Sequence, residues 1–231
     1  MTRLAVIGEG RMGRLVAALA PEMGFDVVAT LGPARTQGGI TLDALGGAEV
    51  VVEFTVPGAA AAVVCDCAAL GVPVVSGTTG WDAERAGVEA VVRSSAGALL
   101  WAPNFAIGVH LFAKVVAEAA RQFAQAAAGF DAHLIETHHA QKLDAPSGTA
   151  RLLASVAEEA GGRVVPVTSV RTGHVPGTHE VVFDAPFEQV RLVHEARDRR
   201  VFAAGALTAA RWLVGKRGVF TLDHLLGEIA R

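Results

Sequence analysis

Two stretches of the chain carry residue types that do chemistry. The denser one reads Glu136-Thr137-His138-His139-Ala140-Gln141-Lys142-Leu143-Asp144-Ala145-Pro146-Ser147-Gly148-Thr149-Ala150. Histidine gives or takes a proton near neutral pH. Lysine holds a carboxylate by its fixed charge and can also donate. A Pro-Ser-Gly-Thr turn then enters a helical pattern, and the backbone N–H groups at Gly148 and Thr149 suit a second carboxylate. Together these residues describe an anion-binding, proton-donating pocket for a small polyanionic substrate. Adjacent histidines with no third His or Cys at ligand spacing do not resemble a zinc site, so no metal is expected. Part of the segment has a structural use in any case, because Asp144 or Ser147 is placed to cap the helix.

The second stretch is Gly8-Glu9-Gly10-Arg11-Met12-Gly13, a GxGxxG spacing between an apolar strand and a helix. Gly8 permits the tight turn, Gly10 lets a pyrophosphate reach the backbone, and Gly13 permits close helix–strand packing. The phosphates would sit at a helix N-terminus, where N–H groups and the dipole favour anions. Two later loops, Gly77-Thr78-Thr79-Gly80 and Ala102-Pro103-Asn104-Phe105, follow predicted strands at the same sheet edge. Their small residues and hydroxyls suit a nicotinamide ribose, and Asn104 suits the carboxamide or the substrate. A pyridine dinucleotide, NADH or NADPH, is the expected cofactor. One expected part is missing. The second strand ends Ala29-Thr30-Leu31-Gly32-Pro33, without the acid that usually binds the adenine ribose. Arg35 follows, either as a partner for a 2′-phosphate or as a solvated loop charge, which leaves NADH and NADPH both open.

The elements that must position these residues are legible as patterns. Leu4–Ile7, Val27–Leu31, Val50–Phe54, Pro73–Val75 and Ala98–Trp101 read as short buried strands. The segments over Arg11–Met23, Ala59–Leu70 and Asp82–Arg93 read as helices between them, the last capped by Asp82. Strands buried on both faces, with intervening helices, mean a parallel sheet. After Pro103–Phe105 the character changes. A long helix over Gly108–Ala128, a strand at Ala132–Glu136 and a helix over Thr149–Ala160 precede three strands at Val164–Val170, His179–Ala185 and Gln189–Glu195. Helices over Ala203–Val214 and Leu222–Ile229 close the chain. The fold class is therefore α/β: an N-terminal Rossmann-like parallel sheet for the dinucleotide, plus a C-terminal α+β domain with a mixed or antiparallel sheet.

Composition removes other classes. With 231 residues, 52% hydrophobic and 19% charged, the chain can bury a core and is not intrinsically disordered. A net charge of −3 without a basic tail gives no pull toward nucleic acid or an anionic membrane. The most apolar stretch, near Val50–Cys65, is broken by Glu53 and Pro57, so no membrane span is expected. The start, Met-Thr-Arg, has no signal-peptide pattern, and Cys65 and Cys67 point apart on a helix, so a reducing cytoplasm is the expected location.

The run from Glu136 to Ala150 resembles the signature of bacterial dihydrodipicolinate reductases. Gly8–Gly13, Gly77–Gly80, Asn104–Val109, Arg171-x-Gly-x-x-Pro-Gly-Thr178, His194, Arg199, Phe202, Gly205-Ala206 and Trp212-Leu213 resemble that family in the right order. The resemblance implies NAD(P)H-dependent reduction of 4-hydroxy-tetrahydrodipicolinate in lysine and diaminopimelate synthesis. It implies His138 as proton donor or acceptor, and Lys142 as second donor and carboxylate partner. His139, Gly148 and Thr149 would bind the heterocyclic dicarboxylate. Gly8, Glu9, Gly10, Arg11, Met12, Gly13, Gly77, Thr78, Thr79, Ala102, Pro103, Asn104 and Phe105 would bind the dinucleotide. It further implies a homotetramer built through the sheets of the second domain. The nucleotide domain would span 1–105 and 206–231, and the substrate domain 106–205. Two features depart from the family pattern: Glu53-Phe54-Thr55 stands for the usual Asp-Phe-Thr, and Gly32-Pro33 for the usual acid or Arg. The chain is also short between Leu31 and Val50. Two other readings stand beside this one, a dehydrogenase of another small acid such as aspartate, and a non-catalytic redox sensor. The dense His-His-x-x-Lys segment weighs against the sensor, which needs no proton donor.

Overall fold

The computed structural model describes residues 1–36 and 38–229. The first part of the chain alternates strand and helix. Its elements are β1 (Thr2–Ile7), α1 (Arg11–Leu19), β2 (Phe25–Leu31), the short α2 (Pro33–Thr36), β3 (Val50–Glu53), α3 (Pro57–Ala69), β4 (Val74–Ser76), α4 (Asp82–Ser94) and β5 (Ala98–Trp101). Leu4 to Ile7 and Val50 to Val52 have no solvent exposure, as strands covered on both faces must. Helix α1 stops at Leu19, short of the expected Met23. Pro21 follows and cannot donate the next helical hydrogen bond. Helix α4 begins after Trp81, with no side-chain cap. Asp82 therefore lies in the first turn, where its charge meets the positive end of the helix dipole rather than capping it.

The middle of the chain contributes α5 (Ile107–Gln125), β6 (Asp131–His138), α6 (Gly148–Gly161), β7 (Val167–Arg171), β8 (Thr178–Ala185) and β9 (Glu188–Glu195). The sheet order is β7-β6-β8-β9, with β6 and β7 parallel and the other pairs antiparallel. Strand alternation puts Leu134, Val181 and Phe183 on one face, in a core with Val116, Leu153 and Ala157 from α5 and α6. The sheet is mixed, in line with the α+β expectation. Strand β7 starts at Val167, later than expected, because Val164 is exposed and Pro166 has no N–H to give.

The chain then returns through α7 (Arg200–Leu213), β10 (Gly218–Phe220) and α8 (Leu222–Ile229). Strand β10 joins the first sheet, which is wholly parallel in the order β10-β5-β4-β3-β1-β2. Two compact units result, 1–106 with the residues from Arg200 on, and 107–199. The second crossing falls at Arg200 rather than at the expected 205/206, because that point lies inside the single helix α7. Among the described residues no helix is long and apolar enough to cross a membrane. Cys65 and Cys67 are free thiols, and burial, helped by Asp66 and Glu53, pushes the Cys67 thiol up to about 12.

Candidate active site

In the first unit, the C-terminal ends of β1, β2 and β3 open on a cavity of about 840 Å³. Gly8, Glu9 and Gly10 line it, with Gly32, Thr55 and Asp66 among the others. Three observations test whether a dinucleotide fits. Gly8 has a φ of +116°, and a Cβ there would lie 2.0 Å from the Phe54 carbonyl oxygen. A Cβ on Gly13 would lie 1.7 Å from the Gly8 carbonyl oxygen, so helix and strand meet only through glycine. Gly10 faces open space and is the N-cap of α1, where no side chain caps the helix. A glycine turn, a close approach and an uncapped helix start are what a pyrophosphate requires. These residues fit the group.

Gly77–Thr79 and Ala102–Phe105 lie at the ends of β4 and β5, beside this cavity in sheet order but outside its lining. Gly77 leaves room for the Phe54 ring, which meets Phe105 edge-on at 6.3 Å. The Thr78 hydroxyl turns inward and donates to Glu53 Oε1 at 2.5 Å. Thr55 donates to the same oxygen through N at 2.6 Å and Oγ1 at 2.5 Å, and Ser76 Oγ donates to Glu53 Oε2 at 2.6 Å. Glu53, with no exposure, thereby ties together the loops after β3 and β4. Asn104 Oδ1 accepts from the Ala106 N–H at 2.8 Å and fixes the turn into α5. Arg11 is exposed and Met12 half-buried on α1. The Arg35 side chain lies outside the described part of the structure.

In the second unit a polar row crosses the sheet. Ser169 of β7, Glu136 of β6, His179 of β8 and His194 of β9 are register partners in turn. His138 follows Glu136 by two residues, on the same face. Glu136 has no exposure. Its Oε1 accepts from Ser147 N at 3.0 Å, Ser169 Oγ at 2.7 Å and Arg171 Nη2 at 2.7 Å. Its Oε2 lies 2.8 Å from His138 Nδ1. Both atoms are buried, and neither makes a hydrogen bond among the described residues, so the approach is one of charge and proximity. Burial alone would raise the Glu136 carboxyl, but the Ser147, Arg171 and Ser169 hydrogen bonds outweigh it and hold it at about 2. Burial lowers His138; the Glu136 charge opposes this, while Lys142 and Arg171 add to it. Burial, then His138, pushes His179 down to about 4. Glycine at 177 keeps His138 Nε2 uncovered, since a Cβ there would sit 3.0 Å from it.

The α6 end of this site is built by Ser147, whose Oγ accepts from Ala150 N at 3.1 Å, so Ser147 is the cap rather than Asp144. Gly148 is exposed and faces open space, and Thr149 is half-buried. Lys142 Nζ pairs with Asp144 Oδ1 at 2.7 Å, which lowers the Asp144 carboxyl. The half-buried His139 closes the turn by accepting the Lys142 N–H at its carbonyl, 3.1 Å. Glu136, His138 and His179 group closely enough to hold a cation. Glu136 already takes three donors on one oxygen, and its charge is matched by Arg171.

The Dihydrodipicolinate reductase, N-terminus model matches residues 2–105, and the Dihydrodipicolinate reductase, C-terminus model matches 108–226. The chain belongs to the dihydrodipicolinate reductase family. Among curated relatives, a 4-hydroxy-tetrahydrodipicolinate reductase of Xanthomonas euvesicatoria is 40% identical over 90% of this chain and 89% of its own. One from Christiangramia forsetii is 30% identical over 98% of each. The dipicolinate-bound dihydrodipicolinate reductase of Paenisporosarcina sp. TG-14 has the same fold, with a TM-score of 0.78 over 96% of this chain and 97% of its own at 24% identity. The family's enzymes are NAD(P)H-dependent oxidoreductases, and the dehydrogenase and sensor alternatives are not favoured. Within this family frame, the Glu53 departure is absorbed: the longer side chain still reaches Thr55, Ser76 and Thr78. Sequence reasoning gave no role to Glu136, Ser169, Arg171 or His179. The available signal was the two-residue alternation that sets Glu136 beside His138 on one face of β6.

Proposed function

We propose that the chain reduces 4-hydroxy-tetrahydrodipicolinate to tetrahydrodipicolinate, with residues 1–106 and those from Arg200 on binding NADH or NADPH and 107–199 holding the dicarboxylate. The observation that carries this reading is the buried Glu136–His138 contact at 2.8 Å, beside the start of α6 and the Lys142 turn. Bound nicotinamide supplies the hydride. Exchanging the 4-hydroxyl for hydride releases water and consumes a proton, so the site needs a donor. Glu136, held ionised and facing His138 Nδ1, opposes the burial that lowers His138, so the imidazolium, whose Nε2–H is the donor on the Gly177 side, forms more readily than it would without that charge. Lys142 is the second donor; it exchanges Asp144 for a substrate carboxylate. The N–H groups of Gly148 and Thr149, at the positive end of α6, take the other carboxylate, and His139 borders it.

The enzyme works in the cytoplasm as a homotetramer in this reading. The sheet face opposite α5 and α6 supports the assembly, since Val170 and Val193 are exposed on it at 37% and 53%. Sedimentation velocity checks the tetramer. Steady-state kinetics with both reduced cofactors, on enzymatically generated substrate, tests the activity. His138→Ala and Lys142→Ala should each lower kcat about 10²-fold or more while dinucleotide affinity survives. Near-normal rates in both variants would remove these residues from the mechanism.

A further inference from the structure

We propose that Glu9 supplies the adenine-ribose contact that the end of β2 lacks, and that it makes NADH the preferred cofactor. The inference rests on the dinucleotide reading of the first unit. In such folds an acid at the end of the second strand takes the ribose hydroxyls. Here that position is Gly32.

Strands β1 and β2 are parallel neighbours with Ile7 opposite Leu31, and Gly8 N donates to the Leu31 carbonyl at 2.8 Å. Residue 9 therefore leaves β1 beside residue 32. A Cβ on Gly32 would lie 2.2 Å from Glu9 Oε2, 2.4 Å from its Cδ and 2.9 Å from Oε1. The Glu9 carboxylate thus fills the space that a side chain at position 32 would take. Glycine at 32 is what lets an acid from the first loop reach the second strand's end.

Glu9 and Gly32 both line the 840 Å³ cavity. Glu9 is exposed there and makes no hydrogen bond or ion pair among the described residues, so both oxygens are left for a ligand. Asp66, the other acid of the lining, is committed: its Oδ2 accepts from the Ile40 N–H at 2.9 Å. No described side chain of the lining is basic. A carboxylate so placed accepts from both hydroxyls of a ribose diol, whereas a 2′-phosphate would bring a second negative group against it.

Isothermal titration calorimetry of the full chain with NADH and with NADPH, without substrate, tests this. The wild type should bind NADH at least about tenfold more tightly. Glu9→Ala should weaken NADH about tenfold and leave NADPH unchanged or tighter. Adding Gly32→Asp to Glu9→Ala moves the acid to the usual strand-end position and should restore the preference. A wild-type preference for NADPH, the result Arg35 would give as a phosphate partner, overturns the proposal. So does a ratio that Glu9→Ala leaves unchanged. A chain that binds neither dinucleotide overturns the underlying cofactor reading as well, and is distinguishable from both.

Discussion

Replacing Glu136 by Gln tests the central contact of the second unit. The amide keeps the size and one acceptor oxygen but removes the charge. Arg171, with its side chain 18% exposed, would lose its counter-ion in a largely dry site. Breaking a buried pair from one side costs about 3–5 kcal/mol. Linkage gives an independent figure. The carboxyl is held at about 2 against an ordinary 4.5, a difference worth about 3 kcal/mol. Because the folded value is the lower one, this stability is fully present above pH 4.5 and disappears as pH falls toward 2. The wild type should therefore lose it across that window, and the variant should be flat there and less stable at pH 7. Catalysis should move as well. Burial lowers His138, and the Glu136 charge is the largest group opposing that. Without it, the pH at which kcat/KM falls as His138 deprotonates should move lower. Calorimetry and pH–rate profiles of both proteins supply the two readings. A pH limb that stays in place while Tm falls would mean that Glu136 only anchors Arg171 and Ser147, and the proton-positioning argument would be wrong.

Two further outcomes are expected. His179 is held near 4 by burial, below its ordinary 6.5, so the fold keeps it neutral and gains stability that is complete above pH 6.5. About 3 kcal/mol should be lost as pH falls from 6.5 to 4, and His179→Gln should flatten that slope in calorimetric stability; an unchanged slope would assign it to other groups. Gly13→Ala puts a methyl 1.7 Å from the Gly8 carbonyl oxygen, so the turn must shift. Dinucleotide titration should show binding lost, along with about 1–3 kcal/mol of stability; unchanged affinity would refute the close-approach argument.

The first sheet was legible where burial leaves a continuous apolar run, as at Leu4–Ile7 and Val50–Val52. Strand β10 was not legible, because three half-buried residues between Arg217 and Thr221 carry no period. The Ser147 cap could be read from local chemistry, since its partner Ala150 lies three residues on. Thr78 looked like a ligand group because hydroxyls at strand ends often are. Only the fold places the Glu53 carboxylate, 25 residues earlier, within 2.5 Å of it. Glu9 and Gly32 are 23 residues apart, and parallel register alone makes them neighbours.

The first sheet has one more consequence, for the order in which the protein is made. Residues 1–106 leave the ribosome without β10 to pair the outer side of β5, and without α7. That helix buries Ala203, Ala206, Leu207 and Ala210 within the same unit. At ordinary elongation rates the missing pieces follow about 5 to 25 seconds later. Residues 107–199, by contrast, are contiguous and emerge as a whole. The second unit can therefore mature during synthesis, while the first waits with an open sheet edge, the kind of edge that can pair with another chain.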